Sequence, residues 1–274
     1  SRIRLKMNQT AQSWWFIFYK DQLLLEKKED GIYAIPCGES SPIVIKEKTT
    51  VHNITTLERK NCKAFSLSSP IEESEQWIMI GLRASYEYLP LSHYQTAGKA
   101  HEILHWDRNS RFCSACGTPM EQKESIMKRC PKCGREVYPS ISTAILVLVR
   151  KKNSLLLVHA RNFKGTFNSL VAGFLETGET LEECVAREVK EETGMEVKKA
   201  EYLFSLPNIY VYSGFTVHTL DLFFRCTVTD TLHYQAMDDA ADVFFLPLKD
   251  IHTEDFGLSS IRKGVGIFLK EMGE

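Results

Sequence analysis

The apolar positions change rhythm along the chain. WWFIFYKDQLLLEKK, near the start, reads as two short strands about a Lys20-Asp21 turn. IYAIP, SPIVIKEK, NITTLER and CKAFSLS continue as short β segments, and QWIMIGLRASYEYLP extends the run. Residues 1–93 are therefore expected to form a β-rich N-terminal domain. Over 94–107, YQTAGKAHEILHWD, the spacing becomes helical, with Ala97, Ala100, Ile103 and Leu104 near one face. This helix leads into a cysteine-rich stretch, and the two together span 94–138. From 139 to 274 strands and helices alternate. STAILVLVR and SLLLVHAR are strands about a KKN turn, LVAGFL leads into a loop, and AEYLFSLPN, FTVHTLDLFFRCTV and DVFFLPL add strands. The last helix, LSSIRKGVGIFLKEM, turns Ile261, Val265, Phe268, Leu269 and Met272 inward. The predicted class is mixed α/β (α+β), a mixed sheet between helices.

The most constrained stretch is Gly173 to Met195, GFLETGETLEECVAREVKEETGM. Thr180 with Glu183 three residues later forms a capping box, so a helix begins near Leu181. Gly194 is placed to end it. Leu181, Val185 and Val189 share its apolar face. Glu188 and Glu192 fall at the edge of that face, with Glu191 one step around. Like charges four residues apart repel by a few tenths of a kcal/mol, and carboxylates near a helix C-terminus oppose its dipole. A divalent cation removes the conflict, because hard Mg²⁺ or Mn²⁺ takes carboxylate oxygens and keeps room for substrate phosphates. A solvated acidic helix end would account for EVKEE alone, but not for the loop GFLETGE, which must fold back over the helix start. Arg187 is the expected partner of Glu179, pinning loop to helix.

Cys113-Ser-Ala-Cys116-Gly and Cys130-Pro-Lys-Cys133-Gly are two C-x2-C-G knuckles. Four thiolates at this spacing suit a tetrahedral Zn²⁺ site, and each glycine lets the backbone turn so that amides can point at the sulfurs. Two disulfides are the alternative, which a reducing compartment would not keep. With four ligands the site has no open position and is structural. Cys184, on the apolar side of the helix, is read as core. Hydrophobic residues make up 43% of the chain and charged ones 25%, with a net charge of −1, which excludes a basic field for bulk nucleic-acid binding. No apolar run approaches a membrane span. The cytoplasm is the expected location.

Gly173, Glu179, Arg187, Glu188, Val189, Glu191, Glu192, Gly194 and Met195 fit every fixed position of G-x5-E-x7-R-E-U-x-E-E-x-G-U, where U is a bulky aliphatic residue. This stretch resembles the Nudix box. Upstream, W-x5-F-C-x2-C-G and C-x2-C-G-x3-Y-P run from Trp106 to Pro139. The whole order resembles the zinc-ribbon-containing NADH pyrophosphatase family of Nudix hydrolases. The resemblance implies a Nudix α/β/α sandwich over 139–274, a zinc ribbon, and cleavage of the diphosphate of NAD(H) to AMP and nicotinamide mononucleotide. It implies catalytic roles for Glu179, Arg187, Glu188, Glu191 and Glu192. Glu188, Glu191 and Glu192, with the Ala172 carbonyl, would hold Mg²⁺ or Mn²⁺. A further acidic residue is drawn from DDAADVFF, Asp239 in preference to Asp238. Phe174 and Tyr138 are candidates for packing on the substrate's rings, or equally core residues. A homodimer is implied, since rings in this family are gripped partly across a subunit interface. One departure matters. The family's S-Q-P-W-P-F-P-x-S signature is here Ser205-Leu-Pro-Asn-Ile-Tyr-Val-Tyr-Ser213. Tyr210 and Tyr212 could still stack on a flat ring. ADP-ribose, another nucleoside diphosphate derivative, or NAD-capped RNA would also fit, the last favoured by Lys123, Lys128, Arg129, Lys132 and Arg135 in the ribbon. A non-catalytic Nudix ligand sensor is the rival, although such proteins usually lose a box glutamate and this chain has them all.

Overall fold

The computed structural model describes residues 12–160, 167–212, 215–238, 240–257 and 259–273, with backbone alone at 160, 210–212, 215 and 259. The chain divides into two compact units between Ser140 and Ile141.

The first unit opens with β1 (Ser13–Tyr19) and β2 (Gln22–Lys27), a hairpin whose turn residue Lys20 takes φ 55°. Then come β3 (Tyr33–Ala34), β4 (Cys37–Gly38), β5 (His52–Leu57), β6 (Lys60–Ser66) and β7 (Trp77–Gly81). They build one sheet in the order β3-β2-β1-β6-β5, with β4 on β1 and β7 on β2. The hairpin partners are antiparallel, while β1 and β6 run parallel. SPIVIKEK is not the strand that its apolar alternation predicts. Pro42 offers no N–H to a ladder, and the Ser41 hydroxyl donates to the Ile43 carbonyl at 2.6 Å, closing a local turn. Val44 is left 86% exposed. The segment after β7 also departs from a strand, curling into a 3₁₀ turn over Ala84–Glu87.

Helix α1 (Leu91–Asn109) begins earlier than 94 and packs on β5 and β6, burying Ala97, Ala100, Ile103 and Leu104 as their spacing requires. Its end is tied to the ribbon strands β8 (Glu121–Glu124), β9 (Met127–Arg129) and β10 (Glu136–Val137). The tie is Lys128, whose side chain is only 5% exposed. Its ammonium lies 2.6 Å from Asp107 Oδ1, donates to the Asp107 carbonyl at 2.9 Å, and sits 5.2 Å from the centre of the Trp106 ring. His52 Nε2 approaches the other Asp107 oxygen at 3.1 Å. The His52 hydrogen bond, then Lys128, hold the Asp107 carboxyl down to about 2. Asp107→Ala leaves a buried ammonium without its counter-charge. It is expected to destabilise this unit by about 3 kcal/mol in chemical denaturation. Because the folded pKa is depressed, this contribution is complete above the ordinary carboxylate value and is lost as pH falls from about 4 towards 2.

The second unit comprises β11 (Ser142–Lys151), β12 (Ser154–Ala160), β13 (Val171–Phe174), α2 (Leu181–Thr193), β14 (Val197–Tyr212), β15 (Phe215–Val228), β16 (Ala240–Pro247) and α3 (Ser259–Met272). Its mixed sheet runs β14-β15-β11-β12-β16, with β13 on β11. Alternation along β11 splits the core in two. Ile145, Val147 and Val149 pack with Cys184, Val185 and Val189 of α2. Leu146 and Leu148 pack with Ile261, Val265, Phe268 and Leu269 of α3. Each such side chain, fully buried, contributes about 1.5–3 kcal/mol. The result is an α/β/α sandwich. The stretch AEYLFSLPN does not stop at its proline: β14 continues to Tyr212, with Pro207 opposite Leu220. The proline is tolerated because β14 is an edge strand, where a missing N–H costs no ladder bond.

Candidate active site

Helix α2 starts as its sequence requires. Thr180 Oγ1 accepts from the Glu183 amide at 3.2 Å, and Glu183 Oε2 accepts from the Thr180 amide at 2.7 Å. Gly194 ends the helix with φ 74°. Between these caps, α2 and the loop before it hold three carboxylates around one guanidinium. Arg187 donates from Nε and Nη2 to the two oxygens of Glu179, at 2.5 and 3.1 Å. Its Nη1 reaches Glu188 at 2.8 Å and Glu191 at 3.1 Å, and Nη2 also donates to the Phe174 carbonyl at 3.0 Å. Loop, β13 and helix are thereby joined through one side chain. The Arg187 fork holds the Glu179 carboxyl at about 2, and Glu179 in turn raises the Arg187 pKa. Burial pushes the Glu188 carboxyl up.

Gly173 explains the first fixed position of the motif. A Cβ there would lie 1.8 Å from Glu188 Oε1, so the helix carboxylate rests in the space that a side chain would fill. Only the far end of a flexible side chain is in the way. Gly173→Ala is therefore expected to fold with thermal stability close to the parent while swinging Glu188 out of place. Turnover should drop by about a hundredfold, read as kcat against an unchanged melting temperature. Glu192 lies beside the same strand, with the Ala172 amide 3.4 Å from its Oε1.

The donor set suits a hard divalent cation. Three carboxylates share a single arginine and Glu192 stands against the Ala172 amide, leaving an excess of anionic oxygen beside a backbone strand. Arg187 is the cation that they face here. Among the described residues, the only ligand atoms of three or more residues gathered within 4.8 Å are the four cysteine sulfurs. Of the other residues singled out, Phe174 is 41% exposed and Tyr138 is 50% exposed, its hydroxyl donating to Glu136 at 3.1 Å. Neither is a core residue. Tyr210 and Tyr212 stand in β14 opposite Val217 and Phe215, and their side chains lie outside the described part. Asp239 and Ser213 are outside the described residues, and Asp238 takes φ 49° in the turn before β16.

A network that the motifs did not reveal sits beneath β14. Asp221, 3% exposed, accepts from Asn208 Nδ2 at 3.0 Å, Thr219 Oγ1 at 2.7 Å and Ser260 Oγ at 2.7 Å. It joins α3 to both strands of the long hairpin, and burial raises its pKa. The available signal was an acid inside the apolar run TLDLFF.

In the ribbon, Cys113 and Cys133 sulfurs are 3.6 Å apart and Cys116 and Cys130 3.5 Å apart. A zinc tetrahedron with bonds of about 2.3 Å needs sulfurs about 3.8 Å apart, so the four fit it. Gly117 and Gly134 take φ 71° and 77°, and the Ala115 and Cys133 amides point at Cys113 and Cys130 sulfurs at 3.4 and 3.5 Å. Hydrogen bonding with Thr118 holds the Cys116 thiol down to about 6. The site is structural Zn²⁺.

Sequence comparison matches three stretches of the chain. Residues 12–106 match the NADH pyrophosphatase-like rudimentary NUDIX domain, 108–138 the NADH pyrophosphatase zinc ribbon domain, and 139–263 the NUDIX domain. The chain belongs to the Nudix superfamily. Its Nudix domain is the α/β/α sandwich, and proteins of this type use Mg²⁺ or Mn²⁺. A protein of Chromobacterium violaceum named NAD-capped RNA hydrolase NudC is 40% identical over 134 residues, 48% of this chain and 50% of that one. The Deinococcus radiodurans protein of the same name is 42% identical over 135 residues, 47% and 48% of the two chains. The chain spans about half the length of the curated relatives it matches. A Nudix hydrolase structure from Nitrosomonas europaea aligns with TM-score 0.46 and 22% identity over 59% of this chain and 91% of its own.

Proposed function

We propose that this chain is a metal-dependent Nudix pyrophosphohydrolase that cleaves the diphosphate of NAD(H)-like dinucleotides to AMP and nicotinamide mononucleotide. The observation that carries the reading is the Arg187-centred carboxylate set, with Glu188 seated against Gly173. Glu188, Glu191 and Glu192, with the Ala172 carbonyl and Asp239, would hold the divalent cation. Bound Mg²⁺ or Mn²⁺ supplies charge neutralisation at the diphosphate and a water of lowered pKa. The chain's own share is positional and electrostatic. Glu179 and Arg187 keep the loop closed on α2, and a neighbouring carboxylate takes the proton of the attacking water. Phe174, Tyr138, Tyr210 and Tyr212 are the candidates for gripping the rings, and a homodimer would complete that grip.

The names of the two relatives favour a second reading, NAD-capped RNA, in which the same diphosphate is cut with an RNA strand attached. A four-thiolate zinc site fits reducing surroundings such as the cytoplasm. Among the described residues no helix is long and apolar enough to cross a membrane.

Product analysis tests the reading. NADH, NAD⁺ and ADP-ribose are incubated in parallel with the protein and Mg²⁺ or Mn²⁺. AMP and reduced nicotinamide mononucleotide, released fastest from NADH, are expected. Faster turnover of ADP-ribose would mean that SLPNIYVYS has redirected the pocket. Binding of all three without turnover would establish a ligand sensor instead.

A further inference from the structure

A second charged feature of the Nudix domain lies away from the box. At one end of its sheet, Arg150 of β11, Lys199 of β14, Arg225 of β15 and Lys152 of the β11–β12 turn surround a cavity of about 460 Å³. One carboxylate, Glu201, faces them and pairs with Arg225 at 2.9 Å. Lys152 and Lys199 are exposed and make no ion pair among the described residues. Arg150 is braced: its guanidinium lies 5.9 Å from the centre of the Phe268 ring, and Nη2 donates to the Lys152 carbonyl at 2.5 Å. Its Nε is buried with no hydrogen-bond partner. A neutral side chain such as Met would pack on Phe268 without that cost, so the charge itself needs a reason. The rest of the wall is Cys226 and Thr227.

The cavity is separate from the box. Gly173, against which Glu188 rests, pairs with Ile145. Arg150 is five residues further along β11, about 17 Å at about 3.3 Å per residue. It also lies on the α3 face of the sheet, with Leu146 and Leu148, and not on the α2 face.

We propose that this cavity binds the phosphate groups of a polyanionic ligand. Arg225, held by Glu201, and Arg150, with Nη1 on Met272 Sδ at 3.4 Å and Nη2 on the Lys152 carbonyl, fix positive charge in the wall, and the two unpaired lysines add mobile ammoniums that suit phosphate oxygens. No aromatic ring lines the wall, so there is no platform for a base. The site reads phosphates and not nucleotide identity. The chemistry is shared by a free polyphosphate and by an RNA strand, and the two are separated by the probe used.

The test measures binding of inorganic tripolyphosphate by calorimetry and of a labelled twelve-nucleotide RNA by anisotropy. The full chain is compared with K152E/K199E and with a control at two exposed lysines of the first unit, K46E/K48E. Groove reversal is expected to weaken binding by about tenfold or more for phosphate contacts, with the control unchanged. NADH turnover should be unaltered by either pair, since neither touches the box. Loss with both probes supports a general phosphate site. Loss with RNA alone assigns it to a strand, and loss with tripolyphosphate alone to a small polyphosphate. Unchanged affinity for both probes, or equal loss in the control, overturns the proposal. Binding is read without turnover, so it stands or falls apart from the hydrolase reading.

Discussion

Glu192→Gln is expected to lower kcat for diphosphate cleavage by about 10²–10³-fold or more, with the folded structure intact. The substitution keeps the size of the side chain, and an amide oxygen can still accept from the Ala172 amide, as Glu192 Oε1 does at 3.4 Å. What it removes is one anionic hard oxygen at the helix edge, where a divalent cation needs charge more than shape. Glu188→Gln should behave alike, with an added effect. Burial already pushes the Glu188 carboxyl up, so its loss also relieves a buried charge, and stability should hold or rise while activity falls. Single-turnover rates at saturating Mg²⁺, beside melting curves, check both. Turnover within tenfold of the parent in both variants would remove the box from the chemistry.

Removing zinc is expected to unfold the ribbon outright. Its strands β8, β9 and β10 hold four, three and two residues, and its buried apolar side chains are little more than Met127 and the ligands Cys113 and Cys130. So small a core does not hold a fold. In zinc fingers the metal supplies about 10–16 kcal/mol of apparent folding free energy. Chelation, or Cys130→Ser, should therefore abolish amide protection over 111–138 in hydrogen exchange, with one zinc released per chain. The loss should reach the end of α1, because Lys128 then leaves Asp107 and the Ser110 carbonyl. Full protection after stoichiometric zinc release would show that the ribbon folds on its own contacts.

Local rules carried much of this architecture. The capping box at Thr180, the αL glycine at 194, the Lys20 turn and the four-cysteine ribbon are all set by interactions within a few residues, or by a metal that demands one geometry. They were legible for that reason. So was the Glu179–Arg187 pair, because loop and helix are adjacent in the chain. The α/β/α layering was expected from a mixed sheet between helices, and β11 supplies it with an unbroken apolar run, residues 145–149, that buries side chains on both faces.

Other features were decided only by distant contacts. SPIVIKEK has the alternation of a strand but no neighbour to pair with, and its serine and proline close a turn instead. β14 runs through Pro207 because it lies at an edge, which no local pattern announces. Glu188 needs Gly173 beneath it, two residues fifteen apart that meet only when β13 packs on α2. The buried Asp221 network and the basic end of the sheet draw on strands and a helix from across the domain. Sequence determines which chemistry is available, since residue type and near spacing fix donors, caps and charges. Tertiary structure decides which of those groups meet, since pairing and packing join residues that no short window contains.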